Sequence, residues 1–482
     1  MFNFRIIARA FSQLLIFEGI FMLVSAVVSL IYGEKVAYPF LYSALVTIVT
    51  GVLVFTPLRN EERVYGSREG YIINTGIWLL SSLFGTLPYL FSGTAASFTD
   101  AFFESVSGFT TTGATIFRNV ESLPHGILFW RSLTQWLGGL AVITLSFYVL
   151  PVMKSLNIQL STTEFSGQLT DKIHPKFFET SKRLILIYIT LTFGEVILLL
   201  FGKMPFFDAV CHSLSTLSTG GFSTRNNNIA AFSSPYLKAV ITIFMFFAGT
   251  NLVVFYFALK NKFRKITHNN ELMVYIAIGL GFSLLVSILL FAEREASPFN
   301  SIINGFFHVI SIMTTTGFYT TDFSAWGNLL ITIMIIIMFT GGMAGSSSGG
   351  VKIIRLLIIT KNNRNEVRRM IHPSAFLPVR VDGKTVPPGI VYNLLIFATF
   401  YFVFICAGTL ILSLMDYDIM TSFTTTASML GNIGPALGSF GPFTNFAEMP
   451  AAGKWVLGAF MIIGRLELLT VIILFARNFY SK

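Results

Sequence analysis

Ten apolar runs follow one another along this chain, at residues 11–31, 36–57, 71–91, 129–152, 184–201, 236–260, 272–291, 326–359, 390–414 and 455–476. Each is close to the length of about 20 helical residues that a hydrocarbon core of about 30 Å requires. In lipid every backbone polar group must be satisfied within the segment, so runs of this length read as helices. The chain is therefore predicted to be an all-α polytopic membrane protein. Its charged fraction of 12% agrees, since soluble domains carry about 25%. No small-residue cleavage site follows the first run, which is expected to stay in the membrane. Cys211 and Cys406 lie far apart in apolar surroundings and are expected to be buried free thiols, neither a disulfide nor a metal site. The net charge of +10 does not call for nucleic acid, because the basic residues sit in short loops. Placing both termini in the cytoplasm puts most of the 33 Lys and Arg inside, at Arg5 and Arg9 and in 59–68, 154–183, 260–265, 352–384 and 477–482, as the positive-inside rule favours.

A second pattern falls on the outer side of this map. "FTTTGAT" begins at Phe109, "STGGFST" at Ser218, "MTTTGFYT" at Met313 and the divergent "LGNIGPAL" at Leu430. Their glycines, read as Gly113, Gly220, Gly317 and Gly434, recur at spacings of 107, 97 and 117 residues, an internal repeat. Ahead of each motif stands a stretch of about ten moderately apolar residues, the length of a re-entrant helix. The predicted architecture is a leading helix pair (1–70) followed by four pseudosymmetric helix–pore loop–helix repeats around one pore: 71–183, 184–271, 272–389 and 390–482. Rings of backbone carbonyls can replace the hydration shell of a monovalent cation, and glycine reaches the dihedrals that turn successive carbonyls toward one axis. The candidate filter comprises Thr110, Thr111, Thr112 and Gly113; Leu217, Ser218, Thr219 and Gly220; Thr314, Thr315, Thr316 and Gly317; and Gly431, Asn432, Ile433 and Gly434. Their hydroxyls add ligands or tie the loops down. One such cluster alone would read as an extracellular turn. Four in register do not.

Acidic residues gather near these loops: Asp100, Glu104, Asp208, Asp322, Asp416 and Asp418. They either focus a cation-attracting field or, for Asp100, Asp208 and Asp418, cap helix N-termini. His212 and His308 have no second ligand at metal spacing and are expected to pack structurally.

The eighth run is interrupted. Only 15 residues separate Trp326 from Thr340 before "GGMAGSSSGG", about 22 Å of helix, so the helix is expected to break inside the membrane. The candidate gate is Gly341, Gly342, Met343, Ala344, Gly345, Ser346, Ser347, Ser348, Gly349 and Gly350, with Lys352 and Arg355 beyond it facing the cytoplasm. A Gly/Ser linker on the membrane surface is the competing reading. Arg465 in "MIIGRLELLTV" is a cation in mid-span, where charge is costly and marks function. It either hydrogen-bonds the 341–350 loop as an electrostatic barrier or pairs with an acid such as Glu195. Glu467, two residues on, points elsewhere on the helix. The basic stretch 361–386 reads as a cytoplasmic loop, setting orientation or docking a regulator.

With these motifs, "GGMAGSSSGG" and "GRLE" in hand, the chain resembles the Trk, Ktr and HKT superfamily of potassium transporters over nearly its whole length. The resemblance implies a bacterial inner-membrane homodimer with one potassium pore per subunit and rubidium permeant. It implies also an intramembrane gating loop and a cytoplasmic nucleotide-binding regulatory subunit (TrkA-like). Four filter glycines match the potassium-associated version, and the fourth loop departs from the hydroxyl-rich pattern, so selectivity should be blunter. No cofactor is expected, potassium being the substrate. A sodium- or proton-coupled symporter using Glu18, Glu195 or Glu467 is the alternative. No nucleophile–base pair or HExxH motif suggests an enzyme.

Overall fold

The computed structural model describes residues 3–59, 67–154, 176–293, 297–476 and 479, with only the backbone at 67, 145–154 and 176–180. Of the basic segments expected in the cytoplasm, 60–66, 155–175, 477 and 482 lie outside the described residues. The described residues are predominantly helical, with irregular loops between helices and an antiparallel hairpin pairing Arg380–Val381 with Lys384–Thr385.

Six described helices are long and apolar enough to cross a membrane, eight counting two bent pairs. The first, Phe4–Ile31, starts earlier than the apolar pattern suggests, because Asn3 accepts the Ile6 N–H and caps it. Ala37–Phe55 packs beside it. Helices Ser67–Phe84, Lys176–Phe201, Asn270–Ala292 and Pro388–Ser413 each precede a shorter, buried helix: Phe98–Phe109, Phe206–Leu217, Pro298–Met313 and Ile419–Gly431. Ser97, Ser297 and Asp418 accept N–H groups at three of their N-termini, while Pro205 precedes the other. After each short helix the chain turns through an irregular loop into another apolar helix.

Those following helices differ from one another. His125–Lys154 is continuous over 30 residues. The expected span 236–260 is instead two helices, Pro235–Ala248 and Leu252–Leu259, meeting at 96°. Gly249 lies at the corner against Thr314 and Tyr275, and the Asn251 side chain caps the second half by accepting the Val253 N–H. The expected span 455–476 is likewise bent by 108° between Arg465 and Leu468, with Glu467 at φ +62°. The eighth run stops at Met338, and helix resumes only at Ile353 and runs to Ile371. Eleven residues from Asn328 to Met338 span about 16 Å, too short to cross. Residues 361–371, read from sequence as loop, continue the Ile353–Ile371 helix. Good helix formers and a Glu366–Arg369 pair one turn apart support it.

Candidate functional site

The four short helices end in the same way. Each closes with a residue in the left-handed region: Thr111 (φ 54°), Thr219 (54°), Thr315 (58°) and Asn432 (54°). The next N–H reaches back five residues to a serine carbonyl, Thr112 to Ser107 (2.9 Å), Gly220 to Ser215 (2.8 Å), Thr316 to Ser311 (2.8 Å) and Ile433 to Ser428 (2.9 Å). This 6→1 bond with a left-handed residue inside it is the Schellman helix stop. Glycine or asparagine normally takes that position. A β-branched threonine there is an outlier, costing about 1–3 kcal/mol, and such strain persists where the surroundings over-determine it.

One residue beyond each bond comes a positive-φ glycine: Gly113, Gly221, Gly317 and Gly434. The structure therefore corrects the sequence register in the second loop. Gly221 holds the repeated position, and Gly220 occupies the place of Thr112. Two adjacent glycines in "STGGFST" hide this, because spacing alone cannot choose between them. On the corrected register Leu217 corresponds to Phe109 and belongs to its helix.

The glycines touch in a cycle. A Cβ on Gly113 would come closer than 3.0 Å to the carbonyl oxygen of Gly220, one on Gly221 to that of Thr316, one on Gly317 to that of Ile433, and one on Gly434 to that of Thr112. Each contact runs from one loop to the next, and the fourth returns to the first. A cavity of about 130 Å³ is bordered by the same four glycines and by the residues that follow them.

The candidate hydroxyls mostly brace the backbone. Thr110 and Thr314 donate to Val106 O and Ile310 O at 2.7 Å, and Ser218 donates to Leu214 O at 2.8 Å. The Asn432 amide donates to Thr112 Oγ1 at 3.0 Å and to Met461 O at 2.9 Å.

Behind the ring, two polar residues one turn apart in the apolar helix His125–Lys154 hold the loops, and the sequence reading missed both. Gln135 donates to Gly220 O at 2.6 Å and accepts from Phe222 N at 3.1 Å. Arg131 pairs with Glu104 at 2.7 Å, donates to Ser223 O at 3.1 Å and lies over the Phe222 ring. Their position within an apolar span was the available signal. Replacing Arg131 with methionine strands the buried Glu104 carboxylate and is expected to destabilise the protein by about 3–5 kcal/mol, measurable as a lowered unfolding midpoint in detergent.

This removes Glu104 from any field at the mouth, since it is fully buried and paired. Asp208 pairs with Arg225 and Asp100 with Lys454. Asp418 does cap its helix, whereas Asp100 and Asp208 lie in first turns begun by Ser97 and Pro205. His212 bridges Asp208 O and Ser223 Oγ, and His308 donates from Nδ1 to Asn304 O while its Nε2 accepts the Thr320 N–H, tying short helices to the loops that follow. Cys211 is buried and free; Cys406, also free, is exposed on an apolar helix rather than buried.

The loop at 341–350 is buried against the C-terminal ends of three short helices. Ser347 Oγ donates to Leu217 O (2.8 Å), Gly349 N donates to Thr315 Oγ1 (2.7 Å), and Gly349 abuts Gly431 O and the Asn432 side chain. Met343 N donates to Gly249 O, and Ala344 N to the Glu271 carboxylate. A surface linker would not be sequestered so. Arg465 Nη1 donates to Ser347 O at 2.9 Å, the loop contact rather than the Glu195 pair. Lys352 and Arg355, expected in the cytoplasm, are buried under the loop: Lys352 Nζ donates to Ser348 O at 2.7 Å, and Arg355 pairs with Glu467 at 2.8 Å. Burial of both follows from the early helix stop, which draws the next residues inward.

The chain matches the TrkH family model, described as a cation transport protein, over residues 39–295 and 294–482. The chain belongs to the TrkH family. It is 35% identical over 484 residues to the Trk system potassium uptake protein TrkH of Salmonella typhimurium, and 35% identical over 486 residues to that of Escherichia coli K12, covering 100% of both chains in each case. The crystal structure of the potassium transporter TrkH from Vibrio parahaemolyticus is similar with a TM-score of 0.91 and 32% identity, over 99% of this chain and 100% of that one. Family membership and the apolar helices make this a multi-pass membrane protein.

Proposed function

We propose that this chain takes up potassium across the cytoplasmic membrane, through a passage enclosed by its four glycine loops. The closed cycle of loop-to-loop contacts at Gly113, Gly221, Gly317 and Gly434 carries the reading. Carbonyls brought together from four loops provide oxygen ligands in layers, and irregular backbone is tolerated at membrane depth where it lines a watery path. The short helices direct the negative ends of their dipoles to the side where the 341–350 loop sits, which favours a cation there. On this reading each of the repeats 71–183, 184–271, 272–389 and 390–482 supplies one wall, the 130 Å³ cavity is the outer vestibule, and the loop with Arg465 is the gate. The relatives' Trk-system names support potassium as the substrate and a multi-component system. A homodimer with a cytoplasmic nucleotide-binding regulator acting on the gate fits that frame, as do cytoplasmic termini.

Purified chain in proteoliposomes is expected to pass potassium and rubidium, and sodium more slowly, with flux that follows the potassium gradient alone. Flux requiring an imposed sodium or proton gradient would instead mark a coupled symporter.

A further inference from the structure

The gate loop and the loops it seals share atoms. Gly349 N–H is held by the hydroxyl of Thr315, one of the four residues at the left-handed stops. Two other such residues carry acceptors with no hydrogen-bond partner among the described residues: Thr111 Oγ1 and Asn432 Oδ1. Both residues are fully buried. Asn432 Oδ1 lies toward Gly349, at 3.2 Å from where a Cβ on that glycine would stand. A buried acceptor without a donor costs about 1–3 kcal/mol, so leaving Asn432 Oδ1 beside the seated loop, and Thr111 Oγ1 at the equivalent left-handed stop of the first loop, points to a further ligand at another stage.

We propose that Thr111, Thr315 and Asn432 form an inner cation subsite that competes with the seated gate loop. This rests on the pore reading above and deepens it. A seated loop places the positive end of the Gly349 N–H dipole on the Thr315 oxygen and fills the space beside Asn432. A desolvated potassium ion needs the same oxygen with its lone pairs outward, and is repelled by the same N–H. Seating the loop and filling the subsite therefore oppose one another. Linkage is reciprocal: by whatever factor the loop weakens cation binding, the cation favours release of the loop. Permeant cation thus becomes a ligand of the gate, without any second binding protein.

The test uses full-length chain in proteoliposomes with Cys406→Ser and Ser346→Cys, placing a thiol on the loop where the native side chain is fully buried. Its reaction with a water-soluble maleimide is timed as potassium replaces N-methylglucamine at constant ionic strength. Saturating potassium is expected to speed modification by about fivefold or more, the low end of coupling between linked sites. Thr315→Val should raise the rate at every concentration and flatten its dependence, and Thr315→Ser should restore the dependence. Ser348→Cys gives the same readout if Ser346→Cys does not fold. A rate that is unchanged or lowered by potassium overturns the subsite. Rubidium flux through the same vesicles separates the two readings, because flux with potassium-independent labelling refutes only the subsite, whereas absence of flux refutes the pore itself.

Discussion

Gly221→Ala is expected to abolish potassium uptake, while Gly220→Ala reduces it far less. The Gly221 backbone lies at φ +77°, and an added Cβ would strike the Thr316 carbonyl oxygen, a backbone atom shared with the neighbouring loop. Left-handed strain and overpacking each cost about 1–3 kcal/mol, and about 1.4 kcal/mol is tenfold in an equilibrium. The side chain also enters between two loops where carbonyls converge, so the geometry of the ring changes as well as its stability. Gly220 has no such φ, and its Cβ would meet the Gln135 side chain, which can withdraw at the loss of its two hydrogen bonds to Gly220 O and Phe222 N while the backbone of the ring keeps its place. Growth of a potassium-uptake-deficient cell at low potassium, with expression checked by blotting, distinguishes the two. The reverse ranking would restore the register read from spacing.

Arg465→Ala is expected to raise basal flux by about ten- to a hundredfold in vesicles containing this chain alone. Arg465 donates to Ser347 O, and its Nε and Nη2 have no hydrogen-bond partner among the described residues. A hydrogen bond from a charged group contributes about 1.5–3 kcal/mol, and here that energy holds the loop seated. Removing a poorly satisfied buried cation also relieves its desolvation cost, so the variant should fold. Gly349→Ala should act in the same direction, since its Cβ would collide with Gly431 O and wedge the loop away. Unchanged flux with reduced yield of folded protein would make Arg465 a structural residue.

Helix existence was readable from the sequence because lipid imposes one rule on every span. The breaks were less so. The early stop at Met338 could be read from a glycine run that arrives before the helix is long enough. The 96° and 108° bends could not, because each depends on tertiary partners: Gly249 against Thr314 and Tyr275, and Glu467 against Arg355. The same limit explains Lys352 and Arg355. Their charge suggested cytoplasm, and only the packed loop reveals carbonyls and a carboxylate waiting for them. In the ring, threonine–glycine repetition located three loops and the spacing of Gly434 behind a short apolar stretch the fourth, yet the one-residue slip at Gly220 needed φ angles to resolve. Gln135 and the Arg131–Glu104 pair lay in view as polar residues in apolar runs, but nothing in a linear pattern names their partners.

The most direct measurement is an experimental structure of the chain with bound rubidium, located by its anomalous scattering. Density is expected on the axis enclosed by Gly113, Gly221, Gly317 and Gly434, at the level of the carbonyls of Thr112, Gly220, Thr316 and Ile433. Rubidium found elsewhere, with none between the four loops, would contradict the four-loop pore.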